Sequence, residues 1–286
     1  MTANVYSHVR TARFGLMLLA VLCITVLTAS PAKANTTITG PCPVVITQPG
    51  EYSLGAGGLS CPPNVDGVDI EASNVILRLA GHTIEGTCGT GIGIHVLGPL
   101  PPAVPLTAVG ILGPGTISNF TVNFLADYSA NSFVNGVKVA SQCPENYGFW
   151  INATSSQWAL VKDVVQANDT SYGLVLFGPN NVVALCNIDD TIAVYANNNV
   201  VVDNTANSNL GGIAVNGSNN QIYANTTNNN SANDGIWVFA GSLSNILSEN
   251  KSTGNLPYDM EDDNADCGTN IWAGDTFGSA NQSCIQ

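Results

Sequence analysis

Residues 211–230 read GGIAVNGSNNQIYANTTNNN, and seven of these twenty residues are asparagine. Apolar residues are nevertheless spaced regularly through the stretch, as in Gly212-Ile213-Ala214-Val215. The same order of glycine, apolar, any residue, apolar occurs at 173–176 and 235–238, and at 191–194 with threonine in the glycine place. These four copies start 18, 21 and 23 residues apart. The spacing indicates a structural repeat rather than a disordered polar tract.

Each repeat is predicted to contain two short strands. After the later copies, an Asn-Asn pair, apolar residues and a further asparagine follow at 180–187, 198–204 and 219–225. Short strands that recur about every 20 residues, without hairpin partners, predict an all-β parallel β-helix. Stacking of the turns would bury two apolar columns, Leu174, Ile192, Ile213 and Ile236 in one and Leu176, Val194, Val215 and Val238 in the other. A β-sandwich is the alternative.

Asparagine suits the corners of such a fold. Tight corners need left-handed backbone conformations, which glycine and asparagine tolerate best. Asparagine side chains stacked in successive turns can also hydrogen-bond along the axis of the helix. Earlier copies of the glycine-apolar pattern lie at 67–70, 91–94, 136–139 and 148–151, so the solenoid is predicted to occupy residues 67–257.

The N-terminal 34 residues are predicted to be a secretory signal peptide, which places the mature protein outside the cell or in the periplasm. Arg10 and Arg13 precede an apolar run, and a small-residue cleavage pattern ends at Ala34. An uncleaved anchor is the alternative, and no membrane span is expected after cleavage. The segment carries three of the seven Lys and Arg residues and no acid, so cleavage moves the net charge from −13 to −16.

This charge bears on the partners of the chain. Nucleic-acid binding relies on Lys and Arg to neutralise phosphates, so it is excluded. An acidic protein would also need calcium or a local basic site to hold a polyuronate. Extracellular or cell-surface carbohydrate is therefore the expected partner, with calcium as the candidate cofactor.

The cysteines indicate local disulfides at both ends of the mature chain. Cys42 is predicted to pair with Cys61 in an N-terminal cap at 35–66, and Cys267 with Cys284 in a C-terminal cap at 258–286. Three cysteines remain, so at least one thiol is free, and a buried inert thiol is expected. The three are Cys88, Cys143 and Cys186.

Two stretches carry a family resemblance. NVILRLAGHTI at 74–84 and GPGTISNF at 113–120 resemble the opening coils of secreted right-handed parallel β-helix proteins of the pectin-lyase-like class. The later repeats are also similar to those of the NosD-like periplasmic group. The class contains lyases, hydrolases, epimerases, phage depolymerases and non-catalytic surface proteins, so the resemblance implies a fold and no single reaction.

The catalytic patterns of that class are not intact in this sequence. Arg78 is the only arginine of the mature chain, and no acid cluster accompanies it in the sequence. Asp189-Asp190 resembles the paired acids of polygalacturonase-like hydrolases, but the Gly-His-Gly stretch that those enzymes carry is missing. An Asp-Pro-His-Asp motif, expected of alginate epimerases, is also missing. His82 lies in a predicted corner and is interpreted as structural.

Long insertions in the early turns supply the functional candidates, since loops on a rigid solenoid commonly carry function. Three residues are predicted to be catalytic: Asp127, Glu145 and His95. Three aromatic residues, Tyr128, Tyr147 and Trp150, are predicted to bind a glycan by ring stacking. The acidic run at 258–266 offers oxygen ligands for calcium, with Asp262 and Asp263 as the candidates.

Two functions remain. The favoured hypothesis is a carbohydrate-interacting or structural surface module without an intact catalytic set. The alternative is a polysaccharide lyase, glycoside hydrolase or epimerase. Carboxylates gathered about 5–9.5 Å apart would favour the enzyme, whereas acids scattered over the corners would favour the module.

Overall fold

A computed structural model describes residues 36–99, 103–144, 146–167, 172–207 and 210–286. The predicted signal peptide, at 1–34, lies outside the described residues. Within the described ranges, no helix is long and apolar enough to cross a membrane.

The first seventeen strands, in chain order, are β1 (Thr36–Ile38), β2 (Val44–Ile46), β3 (Gly50–Leu54), β4 (Leu59–Ser60), β5 (Val68–Ile70), β6 (Val75–Arg78), β7 (Thr83–Glu85), β8 (Ile92–Leu97), β9 (Leu106–Thr107), β10 (Val109–Leu112), β11 (Thr116–Ser118), β12 (Val122–Asp127), β13 (Ser129–Asn135), β14 (Lys138–Ser141), β15 (Tyr147–Ile151), β16 (Ser156–Val161) and β17 (Val164–Ala167).

The remaining strands are β18 (Tyr172–Leu176), β19 (Val182–Ala184), β20 (Asn187–Asp189), β21 (Ile192–Val194), β22 (Val200–Val202), β23 (Ile213–Val215), β24 (Gln221–Tyr223), β25 (Thr226–Asn228), β26 (Ile236–Val238), β27 (Ile246–Ser248), β28 (Lys251–Thr253), β29 (Met260–Asp262), β30 (Ile271–Ala273) and β31 (Thr276–Phe277). The described residues contain no α-helix, and one 3-10 turn spans Ala265–Cys267.

The strands stack into parallel sheets along one axis. Sheet I has ten strands in the order β2-β5-β8-β12-β15-β18-β21-β23-β26-β29. Sheet II runs from β1 and β3 through every turn to β30, and sheet III consists of a six-stranded part, β4 to β20, and a three-stranded part, β25 to β31. Parallel bridges through Thr205 connect the two parts of sheet III. This is the predicted parallel β-helix, with about nine turns.

The two predicted core columns are confirmed. Leu174 pairs with Ile192, Ile192 with Ile213 and Ile213 with Ile236, while the second column follows in the same register two residues later. All eight side chains are at most 1% exposed. Burial of each aliphatic side chain contributes about 1.5–3 kcal/mol, so the columns stabilise the later turns.

Two of the earlier repeat copies are placed differently from the prediction. In the structure Val68 pairs with Ile94, so Gly93 rather than Gly91 occupies the repeat's glycine place in β8. Glycine is needed at position 93 because a Cβ there would meet the carbonyl oxygen of Asn123 at 2.5 Å. The copy at 136–139 lies in sheet III, where β14 pairs with β11 and β17, so the same sequence pattern serves a different corner.

The predicted cap segments both contribute strands to the sheets. In the segment 35–66, β2, β3 and β4 pair with β5, β6 and β7. In the segment 258–286, β29, β30 and β31 pair with β26, β27 and β28. The disulfides Cys42–Cys61 and Cys267–Cys284 are confirmed. A third disulfide joins Cys88 to Cys143, which leaves Cys186 as a buried free thiol.

Asparagine ladders run along the corners as predicted. Asn180, Asn198 and Asn219 have φ values of 62°, 61° and 58°, in the left-handed region. The residue after each of them is buried, and its side-chain oxygen accepts the backbone N–H of the preceding turn. The corners are therefore held by hydrogen bonds in every turn of the later half.

Candidate functional site

The outer face of sheet I brings four titratable side chains together. Asp69 in β5 pairs in register with His95 in β8, and the residue that pairs with His95 on β12 is Leu125. Asp127 ends β12, and Asp66 precedes β5. We name Asp66, Asp69, His95 and Asp127 the Asp–His cluster. Asp69, His95 and Asp127 come from three successive strands of sheet I, in which alternate residues point to the same face, and Asp66 joins them from the turn before β5.

His95 lies between two carboxylates. Its Nδ1 is 3.8 Å from Asp66 Oδ2, and its Nε2 is 3.9 Å from Asp127 Oδ2. The imidazole is largely buried, with 12% of the side chain exposed. One ligand atom each of Asp66, Asp69 and His95 can be chosen so that all three lie within 4.8 Å of one another.

Hydrogen bonds fix the outer members of the cluster. Asp66 Oδ1 accepts the backbone N–H of Ile92 at 2.7 Å. Asp127 Oδ1 accepts Asn152 Nδ2 at 2.7 Å and Thr154 Oγ1 at 3.1 Å. Two buried atoms at the centre, Asp69 Oδ1 and His95 Nε2, have no hydrogen-bond partner. The cluster is thus supported at its edges and unsatisfied at its centre.

The two neighbouring aspartates differ in acidity. Burial and, second, the negative charge of Asp66 together raise the pKa of Asp69 to about 6. Burial also opposes ionisation of Asp66, but the adjacent imidazole of His95 and the hydrogen bond from the N–H of Ile92 outweigh it and lower the pKa of Asp66. Asp66 is therefore the stronger acid of the pair.

An aromatic surface adjoins the cluster on the same face. Tyr147 and Trp150 lie on β15 with ring centroids 4.6 Å apart, and Trp150 stands 5.4 Å from Phe177. Phe177 stacks on Tyr195 at 4.9 Å, and the hydroxyls of Tyr172 and Tyr195 are 3.0 Å apart. We name these five residues the aromatic surface. Trp150 pairs with Leu125 on β12, the strand next to His95, about 10 Å from His95 at normal strand spacing.

The structure brings some of the predicted site residues together. His95 and Asp127 meet in the cluster, and Tyr147 and Trp150 contact each other in the aromatic surface. Glu145 lies outside the described residues. Tyr128 has no ring contact with the aromatic surface among the described residues, and its hydroxyl donates to the carbonyl of Ala103.

Sequence reasoning missed Asp66 and Asp69. The signal that would have found them is Asp66-Gly67-Val68-Asp69, in which Asp69 occupies the outward position of a repeat copy. The register that places Asp69 beside His95 depends on the length of the intervening turn. Arg78 lies elsewhere, on β6 of sheet II, with its guanidinium 3.6 Å from Glu51.

The residues predicted to bind calcium are held by protein donors. Asp262 is fully buried; its Oδ1 accepts from Asn264, and its Oδ2 accepts from Asn270 and from Trp272 Nε1. Asp263 Oδ2 accepts Trp237 Nε1 at 2.9 Å. Within the described ranges, the group of His and acidic residues placed to hold a metal ion is Asp66, Asp69 and His95.

Comparison with known proteins shows the fold alone. No protein-family description matches the chain, and no curated protein sequence matches it. The A-module of mannuronan C-5 epimerase AlgE4 from Azotobacter vinelandii matches with a TM-score of 0.57 and 13% identity, over 89% of this chain and 80% of that chain. The A-module of mannuronan C-5 epimerase AlgE6 from the same organism matches with a TM-score of 0.52 and 14% identity, over 88% of this chain and 75% of that chain.

Proposed function

We propose that the chain is an enzyme that modifies an extracellular polysaccharide at the Asp–His cluster. The observation that carries this proposal is the convergence of four titratable side chains beside an aromatic surface on one face of sheet I. Acids scattered over the corners would have favoured the non-catalytic surface module. The gathered acids favour the enzymatic alternative, and three disulfides favour an oxidising compartment.

The two parts of the face have different tasks in this proposal. Sugar rings stack on Tyr147, Trp150 and Phe177, because their faces match the apolar faces of pyranose rings. The polysaccharide then crosses the strands of sheet I, and one sugar reaches His95 and Asp127. A rigid sheet suits this role, since catalytic groups on strands are held more precisely than groups on loops.

The reaction class that we propose begins with removal of the proton on the carbon next to the carboxylate of a uronate sugar. Return of a proton to the opposite face of that carbon gives epimerisation, and expulsion of the 4-linked sugar gives elimination with an unsaturated chain end. The two proteins with similar folds are named as mannuronan C-5 epimerases, and this supports the class. The cluster supplies the ionisable groups that proton transfer needs. The acidity of the chain and of the substrate both require a cation or a neutralised group at the point of contact.

The test is incubation of the purified mature protein in deuterated water with polymannuronate, polyguluronate, pectate and neutral glycans. Deuterium on the sugar carbon, or unsaturated chain ends, is the expected result with at least one uronate polymer. His95→Gln and Asp127→Asn are expected to lower the rate by about 10²–10⁴-fold, the usual contribution of a proton-transferring group. Trp150→Ala is expected to raise KM with a smaller effect on kcat.

Glu85→Gln is the control variant, since Glu85 is exposed on sheet III, away from this face. New reducing ends without deuterium or unsaturation would replace the proposal by hydrolysis. Retention of a glycan without any chemical change would return the chain to the module class. Absence of both binding and chemical change across the whole panel would overturn a carbohydrate role.

A further inference from the structure

Two buried polar atoms at the centre of the Asp–His cluster lack partners. Asp69 Oδ1 and His95 Nε2 are both shielded from solvent without a hydrogen bond. A buried polar atom without a partner costs about 1–3 kcal/mol. Three of the four side chains in the cluster are acids, and their mutual repulsion is unfavourable without a compensating positive charge.

We infer that Asp66, Asp69 and His95 bind a divalent transition-metal ion of the Zn²⁺ type. Asp66 contributes Oδ2, because its Oδ1 already accepts the N–H of Ile92. Asp69 contributes its unpartnered Oδ1, and His95 contributes Nδ1, which faces Asp66. One ligand atom from each of the three residues lies within 4.8 Å of the other two. Bonds of about 2.1 Å hold two ligand atoms at most about 4.2 Å apart, so small side-chain rotations close the site.

Asp127 completes the arrangement from outside the ligand set. A metal-bound histidine almost always donates its other ring N–H to a carboxylate or a carbonyl. His95 Nε2 faces Asp127 Oδ2 at 3.9 Å, and Asn152 and Thr154 hold the other oxygen of Asp127. The ion would thus bind the unpartnered Oδ1 of Asp69, and a small rotation would let His95 Nε2–H donate to Asp127 Oδ2.

The ligand set selects the class of ion. Ca²⁺ takes six to eight oxygen ligands, whereas this group offers two carboxylates and one imidazole. Imidazole with carboxylates suits Zn²⁺ and similar ions, and three protein ligands leave a coordination position open. Two carboxylates and a divalent ion sum to zero charge, so the ion would remove the repulsion that Asp66 and Asp69 exert on an anionic sugar.

The metal site extends the proposed function. It rests on that function in one respect only, because the open coordination position would bind a carboxylate oxygen of the uronate. Metal binding itself is independent of any polysaccharide. The experiment therefore measures metal binding without glycan, so that failure of the metal site and failure of the enzymatic proposal are distinguishable.

The test uses the mature protein after removal of metals with a chelator. Co²⁺ is titrated while its visible spectrum is recorded, Zn²⁺ is then added as competitor, and Ca²⁺ is titrated in parallel. A 1:1 Co²⁺ spectrum that Zn²⁺ displaces is expected. Asp69→Asn and His95→Gln are expected to abolish the spectrum, and Asp127→Asn is expected to weaken affinity by about 10–100-fold. Asp263→Asn and Glu85→Gln serve as controls and are expected to bind as the parent does.

Circular dichroism of each variant shows whether it has folded, and the isosteric Asp69→Asn keeps the test decisive if His95→Gln does not fold. A dissociation constant for Co²⁺ and Zn²⁺ weaker than about 1 mM would overturn the inference. So would Ca²⁺ binding that is as tight as Zn²⁺ binding and unaffected by His95→Gln.

Discussion

At the scale of single residues, Asp163 is the most informative position outside the site. Asp163 lies at the corner position that Asn204, Asn225 and Asn250 occupy in later turns. At each of these positions, the N–H of the next residue donates to the carbonyl of the equivalent residue in the preceding turn. Asp163 Oδ1 accepts the N–H of Val137 at 2.8 Å, but its buried Oδ2 has no partner. Complete burial raises the pKa of Asp163 to about 8, against hydrogen bonds from the backbone that lower it.

Asp163→Asn is expected to stabilise the protein, with a gain that grows with pH. The folded carboxyl keeps a proton that an unfolded aspartate of pKa about 3.9 releases, so the parent loses stability as pH rises from about 4 to about 8. Asparagine removes this dependence and supplies an amide donor, as Asn204 Nδ2 does toward the carbonyl of Val183.

Urea unfolding at about pH 5 and about pH 9 measures this difference, and a gain of at least about 1 kcal/mol is expected at the higher pH. Asp266→Asn, at an exposed position with φ of 50°, is the control for removal of a surface charge. Equal effects of Asp163→Asn at both pH values would show that Asp163 does not hold a proton in the fold.

At the scale of elements, the asparagine ladder joins the turns. Asn225 Oδ1 accepts from both the backbone N–H and Nδ2 of Asn204, and Asn225 Nδ2 donates to the carbonyl of Val201 and to Asn250 Oδ1. Each buried asparagine thus satisfies groups of the turn before and of the turn after. The ladder uses both the donor and the acceptor of the amide, and aspartate supplies only the acceptor.

Asn225→Ala is therefore expected to cost about 3 kcal/mol or more, since each buried group left without a partner costs about 1–3 kcal/mol. Asn197→Ala is the matched control, because Asn197 Oδ1 also accepts a backbone N–H, from Ser218, but at an exposed position. Its loss is expected to stay below about 1 kcal/mol, since water replaces the bond. Similar losses in the two variants, measured by urea unfolding, would contradict the role assigned to burial.

The elements of the later half could be predicted from sequence, and those around the site only in part. In the later half, corners of similar length keep the glycine-apolar pattern aligned, so the columns that end at Ile236 and Val238 were predicted correctly. In the early turns, insertions change the spacing, and the pattern at 91–94 was placed two residues out of register. That error concealed the pairing of Asp69 with His95, whereas His95 and Asp127 were recognised because both adjoin insertions.

At the scale of the whole molecule, the disulfides differ in what they hold. Cys267–Cys284 closes a loop with a sequence separation of 17 at the C-terminal end. Cys88–Cys143 has a separation of 55 and connects the chain before β8, which carries His95, to the chain before β15, which carries Trp150. The loop that the longer bond closes therefore contains His95 and Asp127 of the Asp–His cluster.

Removal of the longer disulfide is expected to destabilise the protein more than removal of the shorter one. Loop-closure entropy gives a loss of about 4 kcal/mol for Cys88→Ser with Cys143→Ser, and about 3 kcal/mol for Cys267→Ser with Cys284→Ser. Urea unfolding of the two double variants measures both losses. Each disulfide has one buried cysteine, Cys143 or Cys267, and each variant adds two hydroxyls, so the comparison mainly reports the loop length. A larger loss for the terminal pair would show that closure of the last turn, rather than chain entropy, determines what a disulfide contributes to this solenoid.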